Sequence, residues 1–164
     1  MKNIILIGFM GSGKSSVAGE LAKKMKLKIQ ETDKLVLSKS RRASINDIFA
    51  LDGEIRFREM EIEIAKQLRS TINSVVSTGG GMVSNKICID YLKQNGVVIY
   101  LNASFREITE RLEGDTTRPL FAQKVSAKKL FLLRKKLYEE YADIIISTDG
   151  KSISEITNSI IKII

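Results

Sequence analysis

Histidine is absent from the 164 residues, cysteine and proline occur once each, and long apolar runs are missing. Each gap removes a class of chemistry. Without imidazole there is no Ser–His nucleophile pair and no His-ligated metal. Proton transfer then falls to Asp or Glu, and any divalent metal must be a hard cation held by oxygen. Cys88 alone cannot form an internal disulfide, so a reducing cytoplasm is the expected compartment. A membrane span takes about 20 apolar residues, and the apolar stretch from Ile4 to Ile7 is too short even for a signal-peptide core. Concentrated positive charge is lacking as well. The net charge of +8, from 27 basic and 19 acidic residues, is spread along the chain. Only small clusters stand out (Arg41-Arg42, Lys128-Lys129, Arg134-Lys135-Lys136), with no aromatic residues between them to stack on bases. Small anions are therefore the expected partners, with neither nucleic acid nor a membrane surface involved. At 43% apolar and 28% charged residues, the chain has the composition of one soluble globular domain, expected as a monomer.

What is present is concentrated near the start. Gly8-Phe9-Met10-Gly11-Ser12-Gly13-Lys14-Ser15 fits the phosphate-binding pattern G-x-x-x-x-G-K-[ST] without a mismatch. A β-branched strand segment, Asn3 to Ile7, precedes it. Val17, Leu21, Ala22 and Met25 follow at helical spacing. Gly8, Gly11 and Gly13 let the chain turn tightly and aim successive N–H groups at phosphate oxygens, while the helix adds the positive end of its dipole. Lys14 is placed to reach the β- and γ-phosphates, and the Ser15 hydroxyl to hold Mg²⁺. The loop predicts a nucleotide site. Phosphoryl transfer suits a chain without histidine, because its catalysis is mainly positioning and charge neutralisation.

The rest alternates. Strands are expected over 3–7, 28–31, 74–77, 97–101 and 144–147, and helices over 14–25, 34–40, 45–51, 54–68, 86–94, 105–112, 127–141 and 154–163. Ser44 with Asp47 and Ser104 with Glu107 have the spacing of capping boxes. Such alternation predicts an α/β fold, a parallel sheet with helices on both faces and ligands outside the carboxyl ends of the strands. The second strand ends in Glu31-Thr32-Asp33 and the third in Thr78-Gly79-Gly80-Gly81. The third strand carries no aspartate for Mg²⁺, which leaves the metal-side carboxylate to the second. Asp33 suits either an acceptor hydroxyl or the cap of the helix after it. The three glycines suit either close backbone approach to a ligand or a tight turn. Arg58 with Glu61 three residues on suits either an anion site or a surface ion pair. Arg134 suits either an anion site or a solvated basic face. Cys88, on the helix over 86–94, is expected to serve as a small apolar side chain.

Taken together, the phosphate loop, Thr32-Asp33, Asp47-Ile48-Phe49, Asp52-Gly53-Glu54, Phe57-Arg58, Glu61, Thr78 to Gly81, Arg118-Pro119-Leu120 and Arg134 with Leu137-Tyr138 resemble the shikimate kinase family over almost the whole chain. The resemblance implies a three-layer α/β/α P-loop fold with five parallel strands in the order 2-3-1-4-5, ATP as co-substrate with Mg²⁺, and shikimate as acceptor at its 3-hydroxyl. It implies one kinase domain over 1–164, with an acceptor-binding region at about 33–61 and a mobile lid at about 113–124. By position, Gly11, Ser12, Gly13, Lys14, Ser15 and Ser16 hold the nucleotide phosphates. Arg111 packs on adenine, and Arg118 closes over the phosphates beside the sole proline, Pro119. Ser147-Thr148-Asp149-Gly150 matches the adenine loop. Asp33 contacts the shikimate hydroxyls, Arg58 and Arg134 grip its carboxylate, and Gly79, Gly80 and Gly81 complete the pocket between apolar walls from Phe49 and Phe57. Lys14, Asp33 and Arg118 are the implied catalytic residues. One departure concerns the metal: the family's Asp-Thr-Asp is Glu31-Thr32-Asp33 in this chain, one methylene longer at the first carboxylate. A kinase of another polyhydroxy acid such as gluconate, or a nucleotide-binding module without kinase activity, also fits the phosphate loop by itself.

Overall fold

In the computed structural model, which describes residues 2–113 and 124–164, five parallel strands form one sheet in the order β2-β3-β1-β4-β5. They are β1 (Asn3–Ile7), β2 (Lys28–Glu31), β3 (Ser74–Ser77), β4 (Gly96–Asn102) and β5 (Ile144–Ser147). The most apolar strand takes the centre. β1 is buried along its whole length, pairing Ile5 with Val76 on one side and with Val98 on the other. The edges fall to strands that tolerate water: β2 carries Lys28 and Gln30, and β5 is partly exposed.

Because successive side chains of a strand point to opposite faces, Ile5 and Ile7 enter one core and Ile4 and Leu6 another. The first core lies under α4 (Gly53–Leu68), α5 (Lys86–Lys93) and α7 (Lys124–Tyr141), and includes Met60, Ile64, Cys88, Ile89, Phe131 and Tyr138. The second lies under α1 (Lys14–Met25) and α8 (Ile153–Ile163), through Val17, Leu21, Ile156 and Ile160. No helix among the described residues is long and apolar enough to cross a membrane.

Element for element the expected alternation is present, with informative shifts at the ends. The helix expected from residue 34 begins two residues earlier, as α2 (Thr32–Ser40), so Asp33 sits inside its first turn and Glu31 takes the cap position without a side-chain cap bond. The Thr32 hydroxyl, bonded across to Gly79 N–H, anchors the strand end there and lets the helix start at once. The helix expected over 45–51 is a single turn, α3 (Ile45–Asp47), followed by a π turn over Ile48–Asp52. Gly53 at φ 85° ends that turn, its N–H donating to Ile48 O, and Arg42 grips Asp52 through two bonds of 2.6 and 2.9 Å. A short 3₁₀ turn, Met82–Ser84, joins the glycine run to α5. Helix α6 (Phe105–Arg111) starts as expected with the Ser104 hydroxyl accepting Glu107 N–H, but the box is half made: Ser104 N–H goes to Asp149 instead. The reciprocal box forms at Ser152 and Glu155, which open α8. The lid expected over 113–124, with Arg118 and Pro119, lies almost wholly outside the described residues.

Candidate active site

The phosphate loop runs from the carboxyl end of β1 into α1. Its glycines hold φ values of 151° (Gly8), 79° (Gly11) and 91° (Gly13), a region that residues with a Cβ rarely enter. Gly8 has a second constraint: a Cβ there would stand 2.9 Å from Leu101 O and 2.7 Å from the buried Ser12 hydroxyl. Lys14 Nζ folds back onto the loop it follows, donating to Gly8 O at 2.8 Å and Phe9 O at 2.9 Å. Its amine is thus held over the phosphate cradle. Ser15 and Ser16 are exposed at the start of α1, where the helix N-terminus favours anions.

This loop forms one wall of a cavity of about 850 Å³. Across it stand Glu31 at the end of β2, Asp33 in the first turn of α2, Phe49 from the π turn, and Gly80 and Gly81 after the end of β3. Every one of these groups comes from the carboxyl side of the sheet, as the strand order requires. Gly79 does not line the cavity. Of the three glycines expected to complete the pocket, Gly80 and Gly81 line it, while the Gly79 N–H is given to Thr32 Oγ1 at 2.8 Å. Its missing side chain matters because a Cβ there would collide with the Asp33 carboxylate. Gly81 is bare for a related reason: a Cβ would meet Arg58 Nη1 at 2.8 Å and Arg134 Nη2 at 3.1 Å.

Those two guanidinium groups therefore converge on one backbone point from two helices. Arg58, on α4, donates to Glu61 Oε2 at 2.7 Å and to Glu54 Oε1 at 3.1 Å, and lies 5.2 Å from the centre of the Phe57 ring. Glu61 is almost fully buried. Burial pushes its carboxyl above the usual glutamate range, outweighing the pull of Arg58. Burial works against the Arg58 charge, while bonding to Glu61 and Glu54 more than offsets it and holds the group above the usual arginine value. Arg134, on α7, has no such support. Its Nε is buried without a hydrogen-bond partner, and it makes no ion pair among the described residues. Burial depresses its basicity, and the nearby Arg58 charge works in the same direction. Of the two cations only Arg58 is bonded to carboxylates among the described residues, Glu61 and Glu54, and an incoming carboxylate suits the guanidinium of Arg134. Phe49 faces this space, packed on the buried Phe57 with ring centres 4.7 Å apart; Phe57 backs that wall without reaching the cavity.

At the nucleotide end, Arg111 bridges three elements. It donates to Glu107 at 2.9 Å, to Thr148 O at 3.2 Å and, more weakly, to Gly11 O at 3.4 Å. The segment beyond β5 is drawn against α6 by Asp149, which accepts Ser104 N–H at 2.8 Å. Arg111 thus spans the phosphate loop and the loop of residues 147–150. The metal donors fit Mg²⁺ in kind. Ser15 and Glu31 line the same cavity with oxygen, and no cluster of three or more Asp, Glu, Cys or His occurs among the described residues. That sparseness suits an ion that keeps its waters and takes phosphate oxygens as further ligands. Glu31 is meanwhile ion-paired with Lys34. Two residues without an expected role emerge as structural members of the site: Thr32, which fixes Gly79, and Tyr138, whose hydroxyl donates to Gly80 O at 2.6 Å.

The sheet order, the loop and the anion pocket across from it define a P-loop phosphotransferase that acts on a small acceptor. A family model described as shikimate kinase matches residues 10–164. The chain belongs to the shikimate kinase family, whose members are ATP- and Mg²⁺-dependent phosphotransferases. A shikimate kinase of Persephonella marina is 41% identical over 162 residues, which is 98% of each chain. One from a Sulfurihydrogenibium species is 42% identical, covering 98% of this chain and 96% of its own. Among solved structures, shikimate kinase from Acinetobacter baumannii in complex with shikimate superposes with a TM-score of 0.92 at 30% identity, covering 99% of this chain and 92% of that one. The Aquifex aeolicus shikimate kinase gives 0.86 at 34% identity, with 98% and 94% covered.

Proposed function

We propose that this site transfers the γ-phosphoryl group of ATP to the 3-hydroxyl of shikimate, with the residues already described in specific roles. The observation that carries the assignment is the pair Arg58 and Arg134 converging at Gly81, which itself lines the cavity shared with the phosphate loop, although neither arginine is among the lining residues. Planar guanidinium groups suit a carboxylate, which each can grip through two parallel bonds. With the acid anchored there, Asp33 lies beside the glycine run and in the same cavity as Lys14. Its carboxylate orients the acceptor hydroxyl and takes its proton as the oxygen attacks the γ-phosphorus. The bond from that phosphorus to the β–γ bridging oxygen breaks, and ADP leaves. Lys14 and the N–H groups of Gly11, Gly13, Ser15 and Ser16 bear the charge that develops on the phosphates, while Ser12, whose N–H is given to Phe9 O at 3.2 Å, shapes the loop that holds them. Mg²⁺, when bound at Ser15 and Glu31, supplies further neutralisation of the same oxygens. Arg111 packs against the adenine; Arg118, expected as the lid arginine, lies outside the described residues. Phe49, backed by Phe57, limits the acceptor pocket to a flat ring.

The assignment carries a setting with it: one kinase domain, a monomer in a reducing cytoplasm, acting on a small molecule and on neither nucleic acid nor membrane. The single thiol, Cys88, is buried, with its pKa pushed up by burial to about 12, as suits a compartment without disulfides. ADP release from purified protein with ATP and Mg²⁺ tests the reading, with shikimate, gluconate and nucleoside monophosphates compared as acceptors. Strong stimulation by shikimate alone is expected. Equal stimulation by gluconate, or none by shikimate, overturns the acceptor assignment and leaves the phosphate loop standing.

A further inference from the structure

Three consecutive glycines have no side chains to hold them, and a run that free would not keep a ligand-facing backbone in place unaided. Yet residues 79–81 stand where small displacements matter. A Cβ on Gly80 would lie 3.3 Å from Met10 N and 3.5 Å from Gly8 O, so the run packs directly on the phosphate loop, while Gly81 abuts Arg58 and Arg134. Something outside the run must fix it. Thr32 does so at one end, through Gly79 N–H. At Gly80 the fixing group is Tyr138, fully buried, whose hydroxyl donates to the carbonyl at 2.6 Å. Its ring is itself immobilised by stacking on Tyr100, with centres 5.1 Å apart. Tyr138 also lies one turn beyond Arg134 on α7, so a single helix delivers the guanidinium and the anchor of the backbone beside it.

We propose that Tyr138 is a positioning residue of the acceptor site: its hydroxyl sets the plane of the Gly80–Gly81 peptide and so holds the acceptor pocket in register with the phosphate loop and Arg134. The peptide unit is planar and trans, so pinning its carbonyl on Tyr138 turns the Gly81 N–H to the opposite side. In-line transfer is sensitive to such placement, because an ångström of error between the reacting groups is enough to slow it.

The inference rests on the acceptor assignment made above, and the test separates the two. Tyr138→Phe keeps the ring stack and removes only the hydroxyl. KM for shikimate is expected to rise about three- to tenfold, the range for one lost hydrogen bond, with KM for ATP within about twofold of the parent. Tyr100→Phe is the matched control. It also loses a phenol from the core, one that donates to Asn102 at 3.0 Å rather than to the glycine run. It is expected to lower the thermal midpoint and leave KM for shikimate unchanged. If Tyr138→Phe leaves KM for shikimate unchanged, or if both KM values rise together in Tyr138→Phe and Tyr100→Phe, Tyr138 is structural only. Arg134→Lys, assayed alongside, distinguishes the layers: unchanged KM for shikimate there overturns the acceptor assignment itself. A raised value in Arg134→Lys with none in Tyr138→Phe overturns the positioning role alone.

Discussion

At one end of the cavity, Gly8, Gly11 and Gly13 shape a cradle from main-chain atoms, and the charged side chain that serves it, Lys14, is held by that same main chain. Beside Gly81 the anion site is made of side chains: Arg58 from α4, bonded to the buried Glu61, and Arg134 from α7, which makes no ion pair among the described residues. The two ends fail differently. A backbone cradle is damaged by adding atoms, and it discriminates little beyond phosphate. A side-chain site is damaged by removing charge, and it specifies the acid that fits it. Affinity for the common co-substrate and selectivity for the particular one are thus assigned to different kinds of structure.

The largest expected effect breaks the cradle's only charged side chain. Lys14→Met is expected to lower kcat about a hundred- to a thousandfold, the scale for losing a group that stabilises transition-state charge. Initial rates of ADP formation at saturating shikimate measure it. At the acceptor end, Arg134→Lys keeps the charge and loses the fork. KM for shikimate is expected to rise about tenfold, equivalent to about 1.4 kcal/mol, with KM for ATP nearly unchanged. A shift confined to KM for ATP would dissolve the contrast between the two ends.

The smallest effect sharpens the comparison through pH. Glu61 has its folded pKa raised, so between the usual glutamate value and the raised one the folded state binds more protons than the unfolded state. Its contribution to stability therefore declines as pH rises through that window. Asp52 and Asp143 are held below their usual values and contribute the opposite slope. The expected observable is the difference between the parent and Glu61→Gln: stability from denaturant titrations should fall less steeply with rising pH in the variant. An identical slope in the two proteins would show that Arg58 neutralises Glu61 fully.

The same contrast explains what could be seen in advance. The cradle is eight contiguous residues, and its chemistry is local, so loop, strand and helix were all legible in the sequence. Arg58 and Glu61 were legible as a pair because three residues on a helix bring them together. Nothing local joins Arg134 to Arg58, or Thr32 to Gly79; only the sheet brings them together, and the resemblance to a family had to stand in for it. The strand order was legible in the same indirect way. Local signals also misled. Ser104 and Glu107 have capping-box spacing, yet Ser104 N–H is claimed by Asp149 from a distant loop, while the complete box at Ser152 went unnoticed. The π turn was invisible because Ile45 to Leu51 satisfies an ordinary helical pattern; Gly53 and the Arg42–Asp52 bond stand at its end.

The lone thiol has a use unconnected with catalysis. Cys88 lies on α5 against the sheet, fully buried, with almost no thiolate at neutral pH. A thiol reagent cannot reach it until α5 parts from β4 and α4. The rate of its modification therefore counts openings of that half of the core, and the chain carries its own gauge of breathing without an introduced label.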